Sequence, residues 1–148
     1  MKAYLFIFLS IFLFTSCSDD ANPEIQTEAD IIKYIADNKL NAKKTSSGLY
    51  YVINKQGTGK RPTSSSANVT VSYKGYFLDG KVFDQNPNGY TTDLNRVIRG
   101  WTEGIQLFNE GGEGILIVPY DLGYGINGRN PIPGGAVLVF DIKLFTVN

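Results

Sequence analysis

Histidine is absent from this 148-residue sequence, and cysteine occurs once, at Cys17. These absences exclude Ser-His-Asp and Cys-His catalysis, and also a zinc site built from histidine or several cysteine ligands. Fourteen basic residues balance fourteen acidic ones, so the chain lacks the positive charge that attracts nucleic acid. We therefore expect no metal, no cofactor and no nucleic-acid partner. Any chemistry must rely on carboxylates, hydroxyls, amides or the shape of a pocket.

Glycine is missing from the first 47 residues, whereas sixteen glycines follow from Gly48 onward. Phenylalanine is distributed unevenly too, since four of the nine lie within the first fourteen residues. The length suits one domain, because domains usually contain about 100 to 200 residues. The composition predicts three parts: a signal peptide over residues 1–16, a connecting segment over 17–46, and a glycine-rich domain over 47–148.

The first part has the pattern of a secretory signal. Lys2 supplies a positive charge, and residues 3–14 form an apolar run interrupted only by Tyr4 and Ser10. A helix of this length spans roughly 18 Å at about 1.5 Å per residue, well short of the ~30 Å hydrocarbon core of a bilayer. A buried core helix is disfavoured because the run has no polar face. The pattern therefore predicts a signal peptide that does not span the membrane.

The end of the apolar run, Phe14-Thr-Ser-Cys17, resembles the lipobox of bacterial lipoproteins. The resemblance implies cleavage before Cys17 and lipidation of its sulfur, which would anchor the protein to a membrane through several acyl chains. Ser18 after the cysteine is similar to signals for export to the outer membrane. We therefore expect a lipid-anchored protein of the bacterial cell envelope, on the periplasmic or surface face of the outer membrane. The alternative is an ordinary signal peptide that ends at Cys17.

The connecting segment combines a polar stretch with a short helix. Residues 18–27 are polar and aperiodic, which predicts a flexible tether. Thr27 is suited to cap a helix over residues 28–41. The apolar stripe of this helix consists of Ile31, Ile32, Tyr34, Ile35 and Leu40. The stripe leaves open whether the helix is an autonomous spacer or a face for docking or dimerisation.

The third part has the two-residue period of β-strands. Asp79-Gly80 marks a tight hairpin turn. Trp101, Ile105 and Phe108 recur at helical spacing and predict one short amphipathic helix. These patterns predict an α+β domain, an antiparallel sheet with a helix packed on one face. The predicted strands are residues 49–54, 69–74, 115–118 and 138–144.

Three stretches of the domain resemble the FKBP-type peptidyl-prolyl cis-trans isomerases. They are residues 71–84 (VSYKGYFLDGKVFD), 97–104 (VIRGWTEG) and 119–125 (PYDLGYG), followed by Ile132-Pro133 and residues 138–141 (LVFD). The resemblance implies a five- to six-stranded antiparallel sheet wrapped around one short helix. It also implies isomerase activity on proline-containing polypeptides with an apolar residue before the proline, and binding of macrolide inhibitors.

The resemblance also assigns the site. It places Trp101 under the proline ring and Asp84 and Tyr124 near the rotating carbonyl. The sequence departs from the family pattern at two places. After Ile132-Pro133, Gly134-Gly135 occupy the position where many members have a second proline, and the segment over residues 85–96 is several residues shorter than in many members. We expect both departures to affect which substrates are preferred. The catalytic positions are Phe83, Asp84, Trp101 and Tyr124. The substrate-binding positions are Tyr73, Tyr90, Val97, Ile98, Ile132 and Phe140.

Two other functional classes stay open at this point. An FKBP-like domain can serve as a chaperone or assembly factor with little isomerase activity. An aromatic-rich β module that binds surface glycans would suit the nine tyrosines and the anchor, but it leaves the ordered motifs unexplained.

Overall fold

One six-stranded sheet with a helix on each face forms the domain, described over residues 24–148 by a computed structural model. The predictions for residues 1–23, including the signal peptide, Cys17 and most of the tether, lie outside the described residues. The helices are α1 (Glu28–Asp37) and α2 (Arg99–Gly104), and α2 continues into a 3₁₀ turn, Ile105–Leu107. The strands are β1 (Lys43–Lys44), β2 (Tyr50–Lys55), β3 (Asn68–Tyr76), β4 (Val82–Asp93), β5 (Glu113–Val118) and β6 (Leu138–Val147).

The strands are ordered β1-β2-β5-β6-β3-β4, and every neighbouring pair is antiparallel. Strand β6 lies near the centre, where Phe140 is paired with Leu116 of β5 on one side and Gly75 of β3 on the other. Strands β3 and β4 form the predicted hairpin, closed by hydrogen bonds between Phe77 and the turn residues Gly80 and Lys81. The predicted α+β fold with a five- to six-stranded antiparallel sheet is confirmed.

The main hydrophobic core lies between α2 and one face of the sheet. Trp101, Ile105 and Phe108 are all buried there, as their helical spacing predicts. Gly104 allows the close approach of α2 to β5, because a Cβ atom at this position would lie 2.6 Å from Cδ1 of Leu116. Alternate residues of β6 complete the core: Leu138, Phe140, Ile142 and Leu144.

Helix α1 docks on the opposite face of the sheet, so it is not an autonomous spacer. Ile31 is only 1% exposed and packs in a second apolar cluster with Ile117, Val137 and Val139. The helix ends at Asp37 rather than at residue 41, since the chain leaves the helical conformation over the next two residues. The cap at Thr27 is present, with its backbone N–H donating to the Asp30 carboxylate.

The segment before α1 is also attached to the domain. The backbone N–H of Gln26 donates to the carbonyl of Gly135 at 3.0 Å, and the N–H of Val137 donates to Oε1 of Gln26 at 2.7 Å. Gln26 therefore does not belong to a flexible tether, and the packed unit extends further toward the N-terminus than the boundary predicted at residue 47. Within residues 24–148, no helix is long and apolar enough to cross a membrane.

The docking of α1 leads to a stability prediction. We expect Ile31→Ala to lower the free energy of unfolding by about 2 to 5 kcal/mol, because it removes a buried side chain from a packed interface. Ile32→Ala is the matched control: Ile32 is 54% exposed, and surface substitutions usually change stability by about 0.5 kcal/mol or less. Urea unfolding followed by circular dichroism measures both. Equal effects of the two variants would contradict the docking of α1 through Ile31.

Candidate active site

A pocket of about 530 Å³ opens between α2 and the inner face of the sheet. The structure brings nine of the ten predicted site residues together in its lining, although they are spread over 68 positions of the chain, from Tyr73 to Phe140. These nine residues are Tyr73, Phe83, Asp84, Tyr90, Val97, Ile98, Trp101, Tyr124 and Phe140.

The indole ring of Trp101 lies at the base of an aromatic cluster. Its centroid is 4.9 Å from the Tyr73 ring and 5.3 Å from the Phe140 ring, and both pairs are edge-to-face. Edge-to-face pairs are the favourable geometry for aromatic rings, so the three rings fix one another's orientation. The indole N–H is buried and has no acceptor among the residues the structure describes. The base of the pocket therefore consists of packed aromatic rings and includes one buried polar group, the indole N–H.

Phe83 forms part of one wall, and a glycine on the adjoining strand makes room for it. Its ring lies 5.6 Å from that of Phe140 and 5.0 Å from that of Phe77. A Cβ atom at Gly75 would lie 2.7 Å from the Phe83 ring and 2.9 Å from the Phe140 ring. Glycine at position 75 is therefore required for these rings to reach the pocket. Tyr90, 6.1 Å from Tyr73, extends the aromatic surface toward solvent, where it is exposed.

Asp84 is the carboxylate of the pocket. It lies in β4, paired with Gly75 of β3, so it is not the turn residue that an isolated aspartate before a loop would suggest. The Tyr73 hydroxyl donates a hydrogen bond of 2.7 Å to its Oδ2 atom. Burial of the hydroxyl, together with this hydrogen bond to a carboxylate, raises the pKa of Tyr73 well above its ordinary value.

Ile98 is the N-cap residue of α2 and belongs to the lining of the pocket. Its carbonyl accepts hydrogen bonds from the N–H groups of Trp101 and Thr102, at 2.9 and 3.1 Å. Within residues 24–148, no protein hydrogen bond uses the Ile98 N–H. The Ile98 carbonyl is therefore fixed by the first turn of α2, whereas its N–H is not used by the protein bonds of the described residues. Val97 precedes it in extended conformation and adds an aliphatic side chain to the lining.

Ile132 is the predicted site residue that the structure places elsewhere. It is buried in the main core and lines a neighbouring groove with Phe77 and Pro131, not the aromatic pocket. The reason is a short antiparallel bridge in which Arg129 and Ile132 exchange backbone hydrogen bonds of 2.8 and 2.6 Å. The bridge folds the loop so that Arg129, rather than Ile132, lies in the pocket lining.

Two arginines of the lining, Arg96 and Arg129, were missed by the sequence analysis. Arg96 directly precedes Val97 and Ile98, which were predicted to line the site, so its place in the chain could have indicated that it lies nearby. Arg129 lies in a loop, and only the bridge to Ile132 brings it to the pocket. Both are charged groups on an otherwise largely aromatic and aliphatic surface.

The raised pKa of Tyr73 predicts a loss of stability in alkali. A raised tyrosine pKa means that the fold favours the neutral phenol. This stabilisation is therefore complete below the unfolded-state pKa of about 10, and it is lost as pH rises above that value. We expect the midpoint of urea unfolding to fall between pH 9.5 and about 11. For Tyr73→Phe the midpoint should fall less steeply, with part of the remaining fall due to Tyr50 and Tyr76, whose pKa values burial also raises. Identical slopes for wild type and Tyr73→Phe would contradict the assignment.

Comparisons with known proteins identify the family that the chain resembles. The family model for the FKBP-type peptidyl-prolyl cis-trans isomerase matches residues 59–145. A probable FKBP-type isomerase FkpA from Neisseria meningitidis serogroup B is 47% identical over 113 residues, which is 74% of this chain and 41% of that protein. FkpA from Escherichia coli K12 is 37% identical over 147 residues, covering 86% of this chain and 53% of that protein.

Solved structures share the fold. The crystal structure of FkpA from Escherichia coli has a TM-score of 0.75 at 35% identity, covering 82% of this chain and 58% of that one. A peptidyl-prolyl cis-trans isomerase from Pseudomonas syringae has a TM-score of 0.71 at 32% identity, covering 83% of this chain and 96% of that one. The chain thus spans about half the length of the FkpA relatives that it matches.

Proposed function

Because the chain belongs to the FKBP-type peptidyl-prolyl cis-trans isomerase family, we propose that its aromatic pocket catalyses rotation about peptide bonds that precede proline. The observation that carries the proposal is the arrangement of Tyr73, Phe83, Trp101 and Phe140 around one pocket, with the Asp84 carboxylate at its side. No group that titrates near neutrality is required, which suits a chain without histidine.

The physical basis of such catalysis is the loss of amide resonance. Rotation has a barrier of about 18 to 20 kcal/mol because the partial double bond must be broken, and no covalent bond has to form. The twisted amide has less charge separation than the planar one, so it loses less on transfer from water into an apolar pocket. The aromatic cluster around Trp101 therefore binds the transition state better than the ground state, which lowers the barrier.

The polar groups of the site have distinct proposed roles. The free backbone N–H of Ile98 anchors the substrate chain, and Trp101 supports the proline ring. Asp84 lies near the rotating carbonyl, and its hydrogen bond from Tyr73 fixes the orientation of the carboxylate. Tyr124 contributes its hydroxyl at the rim. The walls are aliphatic and aromatic, so we expect an apolar residue before the proline to be preferred, and macrolide inhibitors of the family to compete with peptides.

An isomerisation assay tests the proposal directly. The full-length protein in mild detergent is added to a Leu-Pro tetrapeptide, and cis-trans exchange is followed by NMR. We expect exchange faster than the uncatalysed tens to hundreds of seconds, with inhibition by a macrolide ligand. A protein that binds the peptide without accelerating exchange, yet suppresses aggregation of an unfolded proline-free protein, would instead support the chaperone or assembly-factor alternative.

We also propose that the enzyme acts at the bacterial cell envelope, on the folding of exported proteins. The support is the signal pattern over residues 1–16 and the single cysteine at its end. Lipidated Cys17 would hold the domain at the outer membrane, on its periplasmic or surface face, without a membrane-spanning helix.

The anchor gives a prediction of its own. We expect Cys17→Ser to abolish incorporation of a labelled fatty acid and to leave the precursor uncleaved, because the lipid is attached to the cysteine sulfur. Ser18→Ala is the matched control and should be labelled like the wild type. Fatty acid labelling in cells, followed by immunoprecipitation, measures both. Equal label in Cys17→Ser and wild type would contradict the lipoprotein assignment.

A further inference from the structure

The lining of the pocket carries more positive than negative charge. We infer that the site favours Xaa-Pro segments with an acidic side chain next to the Xaa-Pro pair, and that Arg129 and Arg96 provide this specificity. The inference rests on the proposed isomerase function and names the substrate class for the same site. The two arginines and Asp84 are the charged residues of the lining, whereas the rest of the surface is aromatic and aliphatic.

The backbone of Arg129 is fixed by hydrogen bonds, whereas its side chain forms no ion pair with the residues that the structure describes. The reciprocal hydrogen bonds with Ile132, at 2.8 and 2.6 Å, fix the Arg129 backbone at the pocket. The residue is exposed, and within residues 24–148 no carboxylate lies within 4.0 Å of its guanidinium group. Its charge is therefore available to a bound peptide.

Arg96 is nearly as available. Its side chain is 78% exposed and makes one contact with a carboxylate, from Nε to Oδ2 of Asp93 at 3.4 Å. Asp93 also accepts a hydrogen bond of 2.7 Å from Nδ2 of Asn68. An exposed pair of this kind is weak, so a carboxylate from a bound peptide can compete with Asp93 for the guanidinium group.

Asp84 does not cancel these charges for a substrate. Its Oδ2 atom already accepts a hydrogen bond from the Tyr73 hydroxyl, and its single negative charge stands against two positive charges in the lining. Asp84 and the two arginines are all exposed residues of the lining. A peptide whose Xaa-Pro pair lies over Trp101 extends beyond the pocket, so its flanking side chains come within reach of the exposed charges of the lining, two of which are positive and one negative.

The test uses three matched peptides that carry Glu, Gln or Lys immediately before a Leu-Pro pair, and a second set with the same residues immediately after it. We expect kcat/KM for the Glu peptide to exceed that for the Lys peptide by about threefold to tenfold at low ionic strength in at least one set. The ratio should shrink in 0.5 M salt, because the charges are exposed and screened. The Gln peptide should fall between the two.

Variants assign the effect to the arginines. Arg129→Glu should bring the Glu-to-Lys ratio to one or below, and Arg96→Glu should reduce it. Lys143→Glu is the matched control, because it makes the same change of charge at an exposed residue of β6 that does not line the pocket. Its ratio should equal that of the wild type.

The outcomes separate this inference from the proposed function. Equal rates for the Glu, Gln and Lys peptides in the wild type overturn the inference, while turnover of the Gln peptide preserves the isomerase proposal. The inference is also overturned if Arg129→Glu and Arg96→Glu both keep the wild-type Glu-to-Lys ratio of kcat/KM. Should no peptide be turned over, the isomerase proposal fails. The affinities of the same peptides, measured through the fluorescence of Trp101, the single tryptophan, then decide whether the charge preference exists in binding.

Discussion

Replacing Trp101 by alanine is expected to lower the free energy of unfolding by about 3 to 5 kcal/mol and to remove isomerase activity. The indole is only 5% exposed, and it contacts the rings of Tyr73 and Phe140 edge-on. Its loss leaves a cavity at the base of the pocket and removes the surface on which the proline ring is proposed to lie. Urea unfolding followed by circular dichroism measures the stability, and peptide exchange by NMR measures the activity.

Trp101→Phe separates the two effects. Phenylalanine keeps an aromatic ring in the core, and it removes an indole N–H that has no acceptor among residues 24–148, which offsets part of the lost packing. We therefore expect this variant to fold with a smaller loss of stability but to bind Leu-Pro peptides more weakly than the wild type. Wild-type activity in a folded Trp101→Ala variant would place the reaction outside this pocket.

The second large effect is expected at Asp84. Asp84→Leu should lower kcat/KM by about tenfold to a hundredfold, equivalent to about 1.4 to 2.8 kcal/mol of transition-state stabilisation. The carboxylate is the acceptor for the Tyr73 hydroxyl and the acidic group of the pocket lining. Because the residue lies at the pocket edge on β4, we expect the fold to survive the substitution. Circular dichroism checks the fold, and peptide exchange measures the rate.

Two conservative variants divide the role of Asp84 into parts. Asp84→Asn keeps an oxygen that can accept the hydrogen bond from Tyr73 but removes the charge. Tyr73→Phe keeps the charge but removes the hydrogen-bond donor. If the Tyr73 hydroxyl acts by orienting Asp84, the two single variants and the Tyr73→Phe/Asp84→Asn double variant should form a non-additive cycle. The loss of kcat/KM in the double variant, expressed as a free energy, should then differ from the sum of the losses in Tyr73→Phe and Asp84→Asn. Wild-type kcat/KM in Asp84→Leu would exclude the carboxylate from the mechanism.

Much of the sheet was predictable because its inner face obeys a two-residue period. Leu138, Phe140, Ile142 and Leu144 alternate with other residues and all point into the main core. Val139 breaks the alternation of burial because α1 covers the outer face of the sheet at that point. The apolar stripe of α1 indicated that the helix had a partner, but a stripe does not identify the surface that it will cover. Only the tertiary structure shows that α1 docks on β5 and β6.

The limits of prediction at the site have local physical causes. The second half of β4 contains Pro87 and Gly89, which are typical of loops, yet β4 is an edge strand and tolerates a residue without an N–H donor. Ile132 was assigned by motif order alone, and the backbone bridge to Arg129 reverses which of the two residues lines the pocket. The aromatic residues of the site were likewise assigned by their order in the family motifs, and the structure places them in the lining of the pocket.

The central position of β6 determines when the pocket can be completed during synthesis of the chain. Val69 at the start of β3 is paired with Val147 at the end of β6, so the middle of the sheet joins segments that are far apart in the chain. Until residues 138–147 have emerged from the ribosome, β2 and β5 have no connection to β3 and β4 through the sheet. Pairings between distant segments form late, because closing a long loop costs entropy before any contact compensates for it. Phe140 itself lies in β6, so a partly emerged chain has no complete pocket.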